Sequence, residues 1–239
     1  MILTGHQPNY LPYGGFFHKI SQADVFAVVD NVQFVKRGTF GWMNRNRIRT
    51  KEGWMWLTVP VLTKGKYHQL IIDTRINNDL VWGKKHFNAI YHNYHRSPYF
   101  KRYIGFFEEI YKRHWDNFCD LATEIIAQLI RELGIQAKIV KCSEMGVEGK
   151  AVGYVIDLCK KLKADTYLSG IHGKDYLDES LFLKENIKLV YQEWAQPVYK
   201  QQFEGFIPDL STIDLLFNCG PDSLEILSGR KAARLLKKP

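Results

Sequence analysis

The 239-residue chain contains no apolar run approaching the length of about 18 residues that a membrane-spanning helix needs. Its first eight residues, MILTGHQP, lack the basic start and apolar stretch of a secretory signal, so a soluble, cytoplasmic protein is expected. Low-complexity tracts, internal repeats and linker-like segments are also missing, which excludes fibrous, solenoid and disordered classes. Cysteine is scarce. Cys119, Cys142, Cys159 and Cys219 lie far apart with no C-x-x-C or zinc-finger spacing, so they are expected to be reduced, mostly buried thiols, and no metal site is expected. A nucleophilic role for any of them would need a positive microenvironment.

What is present is an ordinary globular composition, 46% hydrophobic and 24% charged, with a cationic surplus: 33 Lys and Arg against 25 Asp and Glu give +8. Such a surplus suits an anionic partner, a phosphorylated substrate or nucleic acid. Lys231, Arg234, Lys237 and Lys238 crowd the C-terminus, where they can solvate and complement the end of a helix. The rest is concentrated at Lys36, Arg37, Arg45, Arg47, Arg49 and Lys51.

Hydrophobic periodicity predicts strands at 2–4, 24–30, 137–141, 166–168 and 187–191, and helices at 16–22, 82–94, 99–113, 116–133, 151–162 and from Ser211 onward. The continuous run Val25-Phe26-Ala27-Val28-Val29 has the composition of a parallel strand buried on both faces. Two strand-like stretches joined by Thr63-Lys64-Gly65-Lys66 predict a hairpin over about 54–76, and Asp214, three residues after Ser211, suggests a capping box. The expectation is one α/β domain over 1–239: a mostly parallel, Rossmann-like sheet with an inserted β-hairpin and a helical block at about 79–134.

Open α/β sheets bind ligands beyond the C-terminal ends of their strands, so the loops there hold the candidate site. After the first strand come His6, Gln7, Asn9 and Tyr10, then Gly14 and Gly15 opening a helix whose free N–H groups suit an anion. Asp30 and Gln33 follow the second strand. Lys36, Arg37, Asn44, Arg45 and Arg47 come next, interleaved with Phe34, Phe40 and Trp42, and suit a phosphate or carboxylate. Ser169 and Gly170 end a later strand as ligand-binding groups, with His172 close behind as an acid or base. Gln192, Gln196, Tyr199 and Gln201 either face substrate or pair a loop with itself. His92 and His95 share a helix face but lack a third ligand. For every one of these groups the alternative is structural: a βα connection, a solvated basic loop or a helix cap.

The order strand, polar loop, glycine-opened helix and Ala23-Asp24-Val25-Phe26 resembles the α/β nucleotidyltransferase superfamily. Its His-x-Gly-His phosphate signature has no counterpart around Tyr13-Gly14-Gly15-Phe16. A fuller likeness is carried by Gln7-Pro8-Asn9-Tyr10-Leu11-Pro12, Asp30-Asn31-Val32-Gln33-Phe34, Asn44-Arg45-Asn46-Arg47-Ile48, Trp56-Leu57-Thr58-Val59-Pro60-Val61 and Ser97-Pro98-Tyr99-Phe100. It continues through Tyr167-Leu168-Ser169-Gly170 and Tyr176-Leu177 to Ser211-Thr212-Ile213-Asp214-Leu215-Leu216-Phe217-Asn218-Cys219-Gly220. In this order they resemble the WbqC-like protein family over nearly the whole chain. The resemblance implies transfer of a small acyl or aminoacyl group, glycine among them, to an amino sugar in O-antigen or other surface-polysaccharide biosynthesis. On that expectation His6 or His172 is the base, its pKa near the working pH. Asp30 joins the catalytic set, the cations hold a nucleotide-linked sugar, and the donor is an activated acyl group, a nucleotide or a charged tRNA. An ATP-dependent adenylyl-transferring ligase and a non-catalytic RNA-binding module are the alternatives.

Overall fold

The computed structural model describes residues 1–35 and 43–230. Five short strands, β1 (Ile2–His6), β2 (Val25–Val28), β5 (Lys138–Lys141), β6 (Thr166–Ser169) and β7 (Lys188–Tyr191), form one sheet in the order β5-β2-β1-β6-β7. Every neighbouring pair is parallel. Counted along the chain within this sheet alone, the order is 3-2-1-4-5, the Rossmann-like arrangement in which the direction of winding reverses between β1 and β6.

Both faces of the sheet are covered, which is why β2 can be wholly apolar. Phe26 and Val28 point into one core with α1 (Gly14–Ile20) and α4 (Phe118–Leu133), while Val25 and Ala27 point into a second with α5 (Ala151–Leu162) and α6 (Glu179–Lys184). Burying each large side chain of this kind contributes about 1.5–3 kcal/mol. The helical block, α2 (Trp82–Tyr94), α3 (Phe100–Lys112) and α4, joins the first core. Its last helix starts at Asn117, whose side chain accepts from the N–H groups of Cys119 and Asp120, and stops at Gly134 in the left-handed region at φ 73°. Among the described residues no helix is long and apolar enough to cross a membrane.

The hairpin lies earlier in the chain than its expected position at about 54–76. β3 (Arg45–Thr50) pairs antiparallel with β4 (Gly53–Thr58). Arg45, Arg47 and Arg49 alternate along one face of β3, and their side chains cover Trp54, Trp56 and Phe203, so a strand with one aliphatic residue, Ile48, still has a nonpolar surface to pack. The segment expected as the second strand divides instead. Residues 69–72 pair with the chain leaving β2, through Phe34 N–H to Gln69 O at 2.9 Å and Ile71 N–H to Val32 O at 2.9 Å. Residues 75–77 pair with 60–62, where Pro60 has no N–H to offer a longer ladder.

The helix beginning after Ser211, α7 (Thr212–Cys219), is capped by the Ser211 hydroxyl, but Asp214 does not complete a capping box. Its carboxylate is fully buried and accepts from Tyr94 Oη at 3.0 Å, Tyr199 Oη at 2.8 Å and Gln201 Nε2 at 2.9 Å. Burial pushes its pKa from 3.8 up to about 6, against these donors and the nearby Arg49 guanidinium, all of which favour the anion. The fold therefore holds this proton to a higher pH than the unfolded chain does. Its contribution to stability is greatest below about pH 4, declines as the pH rises to about 6, and is constant above that. In urea titrations, the stability of the wild type relative to Asp214→Asn should fall across that window. At neutral pH the variant, which sets an amide N–H against a donor, should still be less stable by about 2–4 kcal/mol.

Candidate functional site

The pairing of the sheet is shortest at the reversal point. β1 pairs with β2 as far as His6↔Val28, and β6 pairs with β7 as far as Ser169↔Tyr191, yet β1 and β6 pair with each other only at Ile2↔Thr166 and Leu3↔Tyr167. The Thr4 hydroxyl, donating to Leu168 O at 2.7 Å, extends the connection by a side chain. Beyond it no further ladder pair joins the two strands, and Gly5, His6, Ser169 and Gly170 stand at the edge where such sheets bind ligands. Lys19 reaches Gly5 O from α1 with its Nζ at 3.0 Å, and the Tyr167 hydroxyl engages the Gly5 backbone. Lys19 is 5% exposed, and burial lowers its pKa to about 8. Neither residue was among the sequence candidates. The available signal was a lysine three residues after Phe16, on the apolar stripe of a helix whose seven residues are all buried.

His6 ends β1 with its ring edge-on to Phe16, centroids 4.9 Å apart. Its Nδ1 lies 2.9 Å from Gln7 O, and since a carbonyl only accepts, Nδ1 carries the proton and Nε2 has the free lone pair. The expected pKa near working pH is not found: burial first and the Lys19 ammonium second push it down to about 3. His6 is therefore a neutral hydrogen-bonding group in this protein. His172 is exposed on the turn after β6, with Nδ1 3.7 Å from an Asp175 carboxylate oxygen. Ser169 is buried, its hydroxyl donating to Gly170 O at 3.1 Å and packed so closely on Gly173 that any side chain there would displace it.

Gln7 and Asn9 are half-buried in the loop leaving β1. Tyr10, expected to meet a ligand, is 0% exposed, with its hydroxyl 2.8 Å from His86 Nδ1 and bonded to Tyr111 Oη. Leu11 follows at φ 47°, a costly conformation for a branched residue, held by Asn46 Nδ2 donating to its carbonyl at 2.6 Å. Asp30, expected in the catalytic set, follows β2 inside the protein. Also 0% exposed, it accepts from the Ser143 N–H at 2.9 Å and the Ser143 hydroxyl at 2.6 Å, tying the ends of β2 and β5 together. Gln33 donates to Tyr67 O and Asn44 to Val59 O, so both secure loops.

Arg45 and Arg47 stack on Trp56 and Trp54 at 4.5 and 5.1 Å, and Arg47 also donates to Asp209 O at 3.1 Å. The hairpin meets the loop after β1 through Tyr10 N–H to Met43 O at 2.6 Å. Lys36 and Arg37, with Phe40, Trp42, Lys231, Arg234, Lys237 and Lys238, lie outside the described residues.

The opening of α1 is not an anion cradle. A side chain at Gly15 would meet Tyr13 at 2.5 Å and the Trp194 indole at 2.8 Å, and one at Gly14 would meet Leu227 at 2.7 Å, so these glycines make room for protein. The glutamines after β7 pair with the protein itself: Gln192 donates to Gly15 O, Gln196 to Pro197 O and Gln201 to Ile207 O. Burial pushes all four thiols up, to about 11 or 12, which leaves them unreactive. Among the described residues no group of three or more His, Cys, Asp or Glu side chains is placed to hold a metal.

These features define a Rossmann-like α/β protein with polar residues at the reversal of its sheet. The chain belongs to the WbqC-like protein family, whose model matches residues 7–226. It is 32% identical over 223 residues to the protein named Uncharacterized protein Rv1507c of Mycobacterium tuberculosis (strain ATCC 25618 / H37Rv), covering 92% of this chain and 95% of that one. No solved structure matches it.

The site predicts an NMR signature. His6 should remain a single neutral, Nδ1-protonated tautomer from about pH 8 down to about pH 5, well above its own transition. A His6 transition between about pH 6 and 7 would contradict the enclosure described for its ring.

Proposed function

We propose that this protein transfers a small acyl or aminoacyl group, of the glycyl type, to the amino group of a nucleotide-linked sugar in cytoplasmic steps of O-antigen or other surface-polysaccharide biosynthesis. The observation that carries the proposal is the end of the β1–β6 ladder at Leu3↔Tyr167, with His6, Lys19, Ser169 and Gly170 past it and His172 on the exposed turn after β6. Membership of the WbqC-like family supports it. In this scheme the acceptor amine attacks the carbonyl of an activated acyl donor or a charged tRNA. The new N–C bond forms as the bond to the donor's carrier breaks, and the amine proton passes to His172. His172 takes this role because His6 is held neutral and weakly basic. Ser169 and Gly170 line the acyl position, Gln7 and Asn9 meet the sugar, and Arg45 and Arg47, with Lys36 and Arg37, hold the diphosphate.

The test is mass-spectrometric detection of an acylated product from a panel of nucleotide-linked amino sugars, supplied in turn with acyl thioesters and with glycyl-tRNA. His172→Ala should reduce kcat roughly 10²-fold to 10⁴-fold, as expected for loss of a general base, with the melting temperature unchanged because the side chain is exposed. Replacing Arg45 and Arg47 together by Ala should weaken calorimetric binding of the nucleotide-sugar by on the order of 2–4 kcal/mol. ATP–pyrophosphate exchange without acyl transfer would replace this scheme with adenylyl transfer. Full turnover in His172→Ala would remove the base assignment.

A further inference from the structure

Two Lys or Arg side chains are buried among the described residues, Lys19 and Arg49, and their surroundings differ. Arg49 donates to the carbonyls of Thr50, Gly53 and Glu204 and lies close enough to the Asp214 carboxylate to affect its charge. Lys19 donates to a single neutral acceptor, Gly5 O at 3.0 Å, and no carboxylate lies within ion-pair distance of it among the described residues. The segments 36–42 and 231–239, outside that description, contain no Asp or Glu. An ammonium has three donors, and one carbonyl engages one of them. A buried cation without a counter-charge is costly to a fold, and a methionine would fill the same space without the cost.

The position of the charge indicates its use. Gly5 lies past the last β1–β6 pair and one residue short of the rim that His6 forms. Where β6 would carry the ladder further, a lysine ammonium and the Tyr167 hydroxyl meet the Gly5 peptide instead. We propose that the Lys19 ammonium is the counter-charge for an oxyanion of the ligand, a phosphate or a carboxylate, that binds at the C-terminal edge of the sheet between β1 and β6. This anion site rests on that edge being the ligand site and is independent of which group is transferred there. It is distinct from the hairpin arginines, which stack on tryptophan.

The experiment uses the full chain and small anions, so it needs no turnover and cannot fail merely because the proposed reaction is wrong. Melting of the wild type and of Lys19→Met is compared in chloride, phosphate, pyrophosphate and acetate at equal ionic strength. At about ten times Kd, a bound anion should raise the wild-type Tm by about 3–6 °C and leave Lys19→Met unmoved. A larger shift with the phosphates points to a phosphoryl group, and a larger one with acetate to a carboxylate. Should Lys19→Met not fold, amine labelling of the wild type followed by mass spectrometry gives the same answer: the anion should slow labelling of Lys19 about tenfold relative to the exposed lysines. The proposal is overturned by equal shifts in both proteins, by no shift with any of the anions, or by Lys19 labelling at one rate with and without them.

Discussion

The Asp214 carboxylate gathers parts of the chain that have little else in common. It receives Tyr94 from α2, Tyr199 and Gln201 from the segment after β7, and, through Tyr94, whose hydroxyl accepts from the Arg49 N–H at 2.9 Å, the middle of β3. Each donor would be an unsatisfied buried polar group without it, so hairpin, helical block and C-terminal helix hold their positions as a set. The loop after β1 depends on that set, since Thr212 N–H donates to Pro12 O and Asn46 to Leu11 O. One side of the candidate site is thus shaped by a carboxylate that does not line it.

Two kinds of buried polar group are present, with different purposes. Asp30 and Asp214 have both carboxylate oxygens engaged by protein donors and act as rivets. Lys19 is buried and His6 half-buried, and both are under-occupied: one ring nitrogen of His6 keeps its lone pair, and Lys19 makes one hydrogen bond to a neutral oxygen. Enclosure with spare hydrogen-bonding capacity is the condition of groups that await a ligand, because desolvation has been met by folding rather than at the moment of binding.

Much of the scaffold was legible in the sequence. The wholly apolar β2, the period of α5 over residues 151–162 and the Gly134 stop each follow from local rules that tertiary contacts reinforce. The hairpin was not, because β3 packs cations on tryptophans and Lys51-Glu52 is not a turn signal, whereas the glycine-bearing 63–66 is. Of the candidate site, the loop after β1 and the turn after β6 are singled out by the strand-end rule. Hydrogen-bond partners far off in sequence are what local rules cannot supply: Tyr10 with His86 and Tyr111, Asp30 with Ser143, and Lys19 with Gly5 across a helix. Polarity in a loop shows that a residue can bind something, and only the fold decides whether the protein has already supplied it.

The indole of Trp194 over Gly14 and Gly15 has a consequence for how this chain can change over time. A methyl group at position 15 and a tryptophan at 194 claim the same volume, 179 positions apart, so neither site can drift without regard to the other. An alanine at position 15 would have to displace both Tyr13, 2.5 Å from the added carbon, and Trp194, 2.8 Å from it, two rings that lean on each other at 5.7 Å. What position 15 can hold is thus limited by rings from two of the sheet's connections, the loop before α1 and the segment after β7.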